Sequence, residues 1–337
     1  MKMPVTVAAC CFFLCSCAVA QVGYQYRAFQ NPGATVTRVF GLNGHGEVVG
    51  TDNTAPGRHA FLLNHQTYIA LDPFGVLATH TSFARGINNS GDIVGGYVGD
   101  DGNEHGFLLH KGNLTTLDVP YAGSVGTQMN AVSDSGVIVG AWVDSAFTVH
   151  GFIYKNGDYL HLDYPGALDT YPLGINPRGD IVGNWDTDQS TVGHGFVFSR
   201  GQMFSFDVPD AIPDGTAANG INARGQIVGG YVGLDGSSHG FLAEGATFTR
   251  LDCPGAVRTT ALQDAEDGQN VVHRLWRLDL ELRFQPLHVL ALDRVETSSP
   301  ERRDQVQPKD HGLRCNPARL LSIRPCVAVD ESRREFL

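Results

Sequence analysis

The chain has 337 residues, 42% of them hydrophobic and 18% charged, with a formal net charge of −11 at pH 7. That balance argues against a nucleic-acid-binding module, whose phosphate contacts need clustered Lys and Arg. Of seven cysteines only Cys253, Cys315 and Cys326 lie beyond residue 17, which excludes a disulfide-dense scaffold and a Cys-based zinc module.

In chain order, Lys2, the apolar run 4–14 and Ala18-Val19-Ala20 have the form of a secretory leader over 1–20, cleaved before Gln21. The run is too short to anchor in a bilayer. Leu14-Cys15-Ser16-Cys17 also resembles a lipobox, which makes a lipid anchor on Cys17 the alternative to free secretion. No later segment has the length and apolarity of a transmembrane helix.

From residue 46 the chain repeats itself. Gly46-Glu47-Val48-Val49-Gly50 returns as Gly91-Asp92-Ile93-Val94-Gly95, Gly136-Val137-Ile138-Val139-Gly140, Gly179-Asp180-Ile181-Val182-Gly183 and Gly225-Gln226-Ile227-Val228-Gly229. A spacing near 45 residues, built from short strands and turns, marks a radial or stacked β architecture. In the second copy, Thr81–Asn88, Asp92–Val98, His105–Leu109 and Leu114–Val119 read as four strands, a to d. Asn88-Asn89-Ser90-Gly91 and Asp100-Asp101-Gly102-Asn103 read as turns between them. Four short strands per repeat predict an all-β, propeller-like array with five visible units. Phe29-Gln30-Asn31-Pro32-Gly33-Ala34 matches the end of strand d, so a lone strand d precedes the first unit. It calls for strands a, b and c after residue 260, but the pattern stops after Thr259-Thr260, so the blade number stays open between five visible units and an incomplete six-bladed propeller.

The repeats, 21–260, carry the whole net charge of −11. The segment 261–337 holds only two of the 41 glycines and 12 of the 24 basic residues. It shows one alternating stretch, Trp276–Phe284, and otherwise little periodicity. Three readings stand for it: a C-terminal extension, a diverged last blade, or a frame-shifted, disordered tail.

The full unit runs Gly-Ile-Asn, Gly-x-Ile-Val-Gly, His-Gly-Phe (His59-Ala60-Phe61 in the first copy) and Leu-Asp-x-Pro-Gly-Ala. Over about residues 24–260 it resembles the HAF family of probable extracellular repeat proteins. The resemblance implies an exported bacterial protein and supplies no activity. The third copy departs from it at Ala131-Val132-Ser133, as does everything after residue 260.

His59, His105, His150, His194 and His239 recur once per unit at the start of strand c. A metal site needs convergent ligands, so one histidine per blade reads as bracing. Asp72, Asp118, Asp163, Asp207 and Asp252 end strand d as turn caps and as partners for the histidine of the same blade, resembling the His–Asp networks of WD-repeat blades. Asn43, Asn88, Asn176 and Asn222, with Ser133, fit turn positions. Asn113-Leu114-Thr115 matches a glycosylation acceptor, a pattern without weight in a bacterial chain. The d–a and b–c loops share one face, which carries Asp100, Asp101, Glu104, Asp144, Asp186, Asp188 and Asp235 as the candidate recognition surface. Asp186-Thr187-Asp188 lacks the glycine and glutamate of a calcium loop. Among the strand-a segments only Asp169 is acidic, and no GxSxG, phosphate-loop or HExxH motif occurs. The sequence therefore reads as an extracellular binding or structural module with a glycan or surface protein as partner, and no catalytic, metal or cofactor residue. The alternative is a propeller enzyme acting on polysaccharide, which needs converging carboxylates.

Overall fold

The computed structural model describes residues 24–29, 31–53, 57–65, 67–71, 81–188, 192–252, 258–266, 272–279 and 288–294. These residues lie in one compact unit, Met1–Val295. The leader, Asp72, and all three later cysteines lie outside the described residues.

Every described element is a β-strand. The chain opens with β1 (Tyr24–Phe29). Blade 1 follows as β2 (Thr37–Leu42), β3 (Val48–Asp52), β4 (His59–Asn64) and β5 (Thr67–Leu71). Blade 2 is β6 (Ser82–Ile87), β7 (Ile93–Val98), β8 (Glu104–His110) and β9 (Asn113–Thr116). Blade 3 is β10 (Gly126–Val132), β11 (Ile138–Val143), β12 (Val149–Lys155) and β13 (Asp158–His161). Blade 4 is β14 (Asp169–Ile175), β15 (Ile181–Asp186), β16 (His194–Ser199) and β17 (Gln202–Phe206). Blade 5 is β18 (Ala211–Ile221), β19 (Ile227–Gly233), β20 (Ser238–Glu244) and β21 (Thr247–Leu251). Three more strands follow: β22 (Arg258–Glu266), β23 (Val272–Asp279) and β24 (His288–Arg294). Each strand pairs antiparallel with the next in its blade, and β1 pairs antiparallel with β24. The first strand is thus strand d of a sixth blade, and the fold is a six-bladed β-propeller.

The boundary drawn from composition at residue 260 falls inside β22. Repeat motifs stop there and the strand ladder does not, because ladder bonds are made by backbone groups that every residue carries. The register gives a reason for the lost motif. In blade 3 Gly140 stands opposite Met129 on strand a and Phe152 on strand c. In blade 6 the same place is held by Trp276, opposite Ala261 and Val289. Large and small residues have exchanged strands.

The glycines of Gly-x-Ile-Val-Gly have two separate causes. The first, at 46, 91, 136, 179 and 225, has φ between +76° and +84° in the a–b turn, where an L side chain is strained. The second is a matter of space. A Cβ on Gly140 would lie 2.2 Å from the Gln128 carbonyl oxygen and 2.6 Å from the Phe152 ring. The same conflict holds at Gly50, Gly95, Gly183 and Gly229. Each phenylalanine of His-Gly-Phe lies across from that glycine and is almost fully buried. Burying a phenylalanine contributes about 1.5–3 kcal/mol relative to exposure, and the absent Cβ makes room for it.

The a–b turns are joined in a chain of hydrogen bonds. Asn88 Oδ1 accepts the amides of Ser90 and Asp92 in its own turn, and its Nδ2 donates to the Ser133 carbonyl of the next blade at 3.0 Å. Asn43 donates likewise to Asn88, and Asn176 to Asn222, both at 3.1 Å. Ser133 has no amide to continue the chain, and its hydroxyl turns instead to Ser135 and Val137. Asn88→Ala is therefore expected to lower stability by about 1–3 kcal/mol, because it strands buried groups. Ser133→Asn is expected to raise it by about 0.5–1.5 kcal/mol by restoring the link toward Asn176. Urea midpoints of the two variants check both signs.

Candidate functional site

The loop face carries the histidines. In blades 2 to 5 the Nδ1 atoms of His105, His150, His194 and His239 lie 2.8–3.1 Å from Asp118, Asp163, Asp207 and Asp252 at the ends of strand d. The opposite ring nitrogen faces a second carboxylate: Asp101, Asp144, Asp214 and Asp235 respectively, at 2.6–3.6 Å. The rings pack against Tyr97, Trp142, Trp185 and Tyr231 of strand b, with centroids 4.6–5.3 Å apart. The Asp118 and Asp163 carboxylates also accept the Gly106 and Gly151 amides, so each pins strand c and its histidine together. Blade 4 differs, since Asp214 comes from β18 and ties blade 4 to blade 5.

The bracket of blade 2 shows how the charges act on one another. Burial pushes the His105 imidazolium down, but the Asp118 and Asp101 carboxylates outweigh it and its pKa lies above the ordinary 6.5. Asp101 is drawn to about 2, first by the Asn103 amide and then by His105. Asp144 and Asp235 are lowered, chiefly by the Thr148 and Ser237 amides. A raised histidine stabilises the fold below 6.5, and that share is lost as pH rises through the folded value. A lowered aspartate stabilises above 3.8, and its share is lost as pH falls through the folded value. Thermal stability is expected to peak between those two pH values. Asp118→Asn should flatten the alkaline side of a Tm-against-pH curve.

The predicted acidic recognition face is thus largely committed to bracing. Asp101, Asp144 and Asp235 are histidine partners, and Asp186 is buried. Glu104 is turned toward the axis, where its Oε1 accepts a 2.6 Å hydrogen bond from Gln128 Nε2. Asp169 is not the sole acid of strand a, since β18 extends back to include Asp214 and β22 includes Asp264 and Glu266; it is 3% exposed and accepts the Val149 amide at 2.7 Å. Among the described residues no cluster of His, Cys, Asp or Glu is arranged to hold a metal ion. Nor is any helix there long and apolar enough to cross a membrane.

The axis is lined by strand a, and the six strands β2, β6, β10, β14, β18 and β22 contact one another in a closed ring. Each carries a β-bulge at the same place. The ladder skips Phe40, Arg85, Asn130, Leu173, Asn219 and Leu262. A bulge re-aims the extra side chain. These six positions, with Arg38, Phe83, Gln128, Tyr171, Ala217 and Thr260 two residues earlier, are part-exposed except for Asn130. The residues between them are buried in the blade interfaces. Two tiers of side chains therefore surround the channel. Asn130 and Asn219 each donate from Nδ2 to the next blade, to Pro172 and Ala261 carbonyls at 2.8 Å. The Arg85 guanidinium lies over two aromatic rings, 4.9 Å from the centroid of Phe83 and 5.3 Å from that of Phe40. Burial lowers its pKa to about 10, against the opposing charge of Glu104, so it remains cationic at neutral pH. Burial in turn raises Glu104, with Gln128 and Arg85 opposing.

Sequence reasoning missed this channel set. The signal was present in the residue before Gly-Ile-Asn (Gly-Leu-Asn in the first copy), which reads Phe40, Arg85, Leu173 and Asn219. A position that varies inside a repeated frame is one that the frame does not need. At the other end of the axis the a–b turns enclose a cavity of about 100 Å³, floored by Leu42, Ile87, Val132, Ile175 and Ile221. It is smaller than the roughly 300–1,000 Å³ of ordinary small-molecule sites.

No protein-family model and no curated protein sequence matches the chain. Solved structures with a similar arrangement include the fungal lectin of Aleuria aurantia, described as a six-bladed β-propeller with a novel mode of fucose recognition. It is 10% identical over 64% of this chain and 77% of the lectin, with a TM-score of 0.43. A protein of unknown function from Dyadobacter fermentans is 11% identical over 79% of this chain and 98% of its own, with a TM-score of 0.48. TolB from Acinetobacter baumannii is 9% identical over 74% of this chain and 64% of its own, with a TM-score of 0.49. Such values carry nothing about ligand or activity, and the functional reading rests on the site itself.

Proposed function

We propose that the chain is an exported binding module whose ligand is a saccharide met at the loop-face mouth of the channel. The observation that carries this is the make-up of the two strand-a tiers. Their twelve positions hold three amides, hydroxyls, aromatic rings, two arginines and three aliphatic side chains, and no carboxylate. Glycoside hydrolysis needs two carboxyl groups about 5–9.5 Å apart. Among the described residues Glu104 reaches a channel residue, and its carboxylate is tied to Gln128. The tiers vary from blade to blade while the scaffold repeats, as expected of a surface specialised for recognition.

The loops around the mouth add apolar contact. Val125, Leu168 and Ile212 are exposed just before or at the start of strand a in blades 3, 4 and 5. Phe147 and Leu234, 74% and 77% exposed, stand on b–c loops of the same face. A saccharide offers C–H faces to such side chains and hydroxyls to Gln128, Tyr171 and Thr260. Export rests on the leader-like residues 1–20, with lipidation at Cys17 as the alternative. N-terminal sequencing of secreted material, expected to begin at Gln21, separates the two.

The test is a panel of immobilised glycans probed with the full chain, beside an assay for new reducing ends. Retention on at least one glycan with no release of reducing ends is expected. Reducing ends appearing in proportion to protein, or retention on none of the panel, contradicts the proposal.

A further inference from the structure

We infer that Arg85 is the ligand-reading residue of the channel and that the group it reads is a single carboxylate, such as that of a terminal uronic acid. The inference rests on the saccharide reading above and narrows it. Arg85 carries five N–H donors. Yet it makes no hydrogen bond and no ion pair with any described residue, and its Nε is buried without a partner. The residue is part-exposed and only its Nε is buried, so the remaining N–H donors of the guanidinium are open to the channel. The nearest opposing charge is that of Glu104, whose carboxylate is engaged by Gln128. The two phenylalanine rings fix the guanidinium plane and offer it no acceptor.

A carboxylate supplies what is missing, two acceptor oxygens in the geometry of the guanidinium fork. The adjoining bulge residue Asn130 adds a second requirement. Its Nδ2 is committed to the Pro172 carbonyl, and its Oδ1 is buried with no partner in a side chain 5% exposed. That oxygen has no open surface in the free protein, so a sugar hydroxyl beside the carboxylate can donate to it only once the Asn130 side chain turns toward the channel. Donor-rich Arg85 and acceptor-only Asn130 Oδ1, one blade apart, therefore fit a hydroxy-acid. Charge sets the size of the ligand. The tiers hold two arginines, Arg38 and Arg85, in a chain of net charge −11. One anionic group is attracted locally, while a polyanion meets the repulsion of the whole molecule.

The structural alternative is that Arg85 braces blades 1 and 2 through its rings, and the two readings differ in sign. A bracing residue destabilises the protein when removed. A cation held for a ligand costs stability in the free protein, so Arg85→Met is expected to raise the Tm slightly while abolishing binding. Arg85→Lys keeps the charge and loses the fork.

The probes are D-glucuronate, methyl β-D-glucoside and acetate, titrated calorimetrically into the full chain and both variants. Labelling of Arg85 by phenylglyoxal, located by mass spectrometry, is followed with and without each probe. Glucuronate is expected to bind, to protect Arg85, and to weaken at least about tenfold in Arg85→Lys, the loss of about one charge-assisted hydrogen bond. Acetate should protect Arg85 only at higher concentration, and methyl β-D-glucoside should not. Glucuronate binding unchanged in the variants, no protection of Arg85 by glucuronate, or a fall in Tm of several degrees in Arg85→Met overturns the inference. If any of these occurs while a neutral glycan of the panel is retained, the binding-module reading survives without it. If nothing in the panel binds, both fail.

Discussion

Gly140→Val is expected to leave the chain without a cooperative unfolding transition. The substitution puts a Cβ 2.2 Å from the Gln128 carbonyl oxygen and 2.6 Å from the Phe152 ring, and two methyl groups beyond it. The carbonyl belongs to strand a, which is held on its far side by neighbouring blades, so it cannot retreat without opening the ring. Costs above about 4–5 kcal/mol come from conflicts of this kind, and a whole domain is stable by about 5–15 kcal/mol. Gly140→Ala should cost less and still be severe. Adding Phe152→Leu to Gly140→Ala removes the ring conflict and leaves the carbonyl one, so the pair should lose less than the sum of the single losses, by about 0.5–3 kcal/mol. Gly136, four residues earlier, is the control. A Cβ there meets nothing within 4 Å, and the objection is only its φ of +76°. Gly136→Asn should cost under about 1 kcal/mol, since asparagine visits that region with local hydrogen bonding. Urea titrations of the five variants, followed by tryptophan fluorescence, decide the matter.

Deleting Tyr24–Phe29 is expected to have an effect of similar size from the other end of the chain. Those residues are the outer strand of blade 6, in register with β24 from Tyr24 opposite Arg294 to Phe29 opposite His288. Without them β24 becomes an unprotected edge, and the sixth blade is held only by its contacts with blades 1 and 5. The residues that follow, Asn31 to Ala34, also tie blade 6 to blade 1. The Asn31 amide donates to Thr37 Oγ1 and its side-chain nitrogen to Asp52, at 3.0 and 2.7 Å. The shortened chain should elute as aggregate and melt broadly. An unchanged midpoint would mean that blades 1 to 5 close by themselves.

How much of this was legible depended on whether a residue was repeated. The four-stranded unit, its turns and the pairing of His105, His150, His194 and His239 with the aspartate thirteen residues on could be read because a side chain used in copy after copy leaves a pattern. The asparagine chain between turns was half legible. Its positions were plain, but its reach into the next blade depends on how closely strands a approach the axis. Gly86 shows that approach, since a Cβ there would lie 2.9 Å from the Ala131 Cα. Blade 6 was hidden because exchanging glycine on strand b for Trp276 removes the motif and leaves backbone pairing untouched. The channel set was hidden for the opposite reason: Phe40, Arg85, Asn130, Leu173 and Asn219 share a place, and only the two asparagines share chemistry. Glu104 was placed correctly near the loop face, yet its partner Gln128 lies in the next repeat, a proximity that only closure creates.

Closure by the first strand brings the two ends of the repeat region together and forms the channel. The most direct measurement is a cross-link in the full chain between Tyr26→Cys and Ala291→Cys, which are opposed in the β1–β24 ladder. The native cysteines are first replaced by serine. Mild oxidation should give a monomer in which mass spectrometry finds peptides 26 and 291 joined, while the control pair Tyr26→Cys and Ala265→Cys gives none. Failure of the 26–291 link in folded monomer, or linkage of the control pair as readily, would contradict a propeller closed by its first strand.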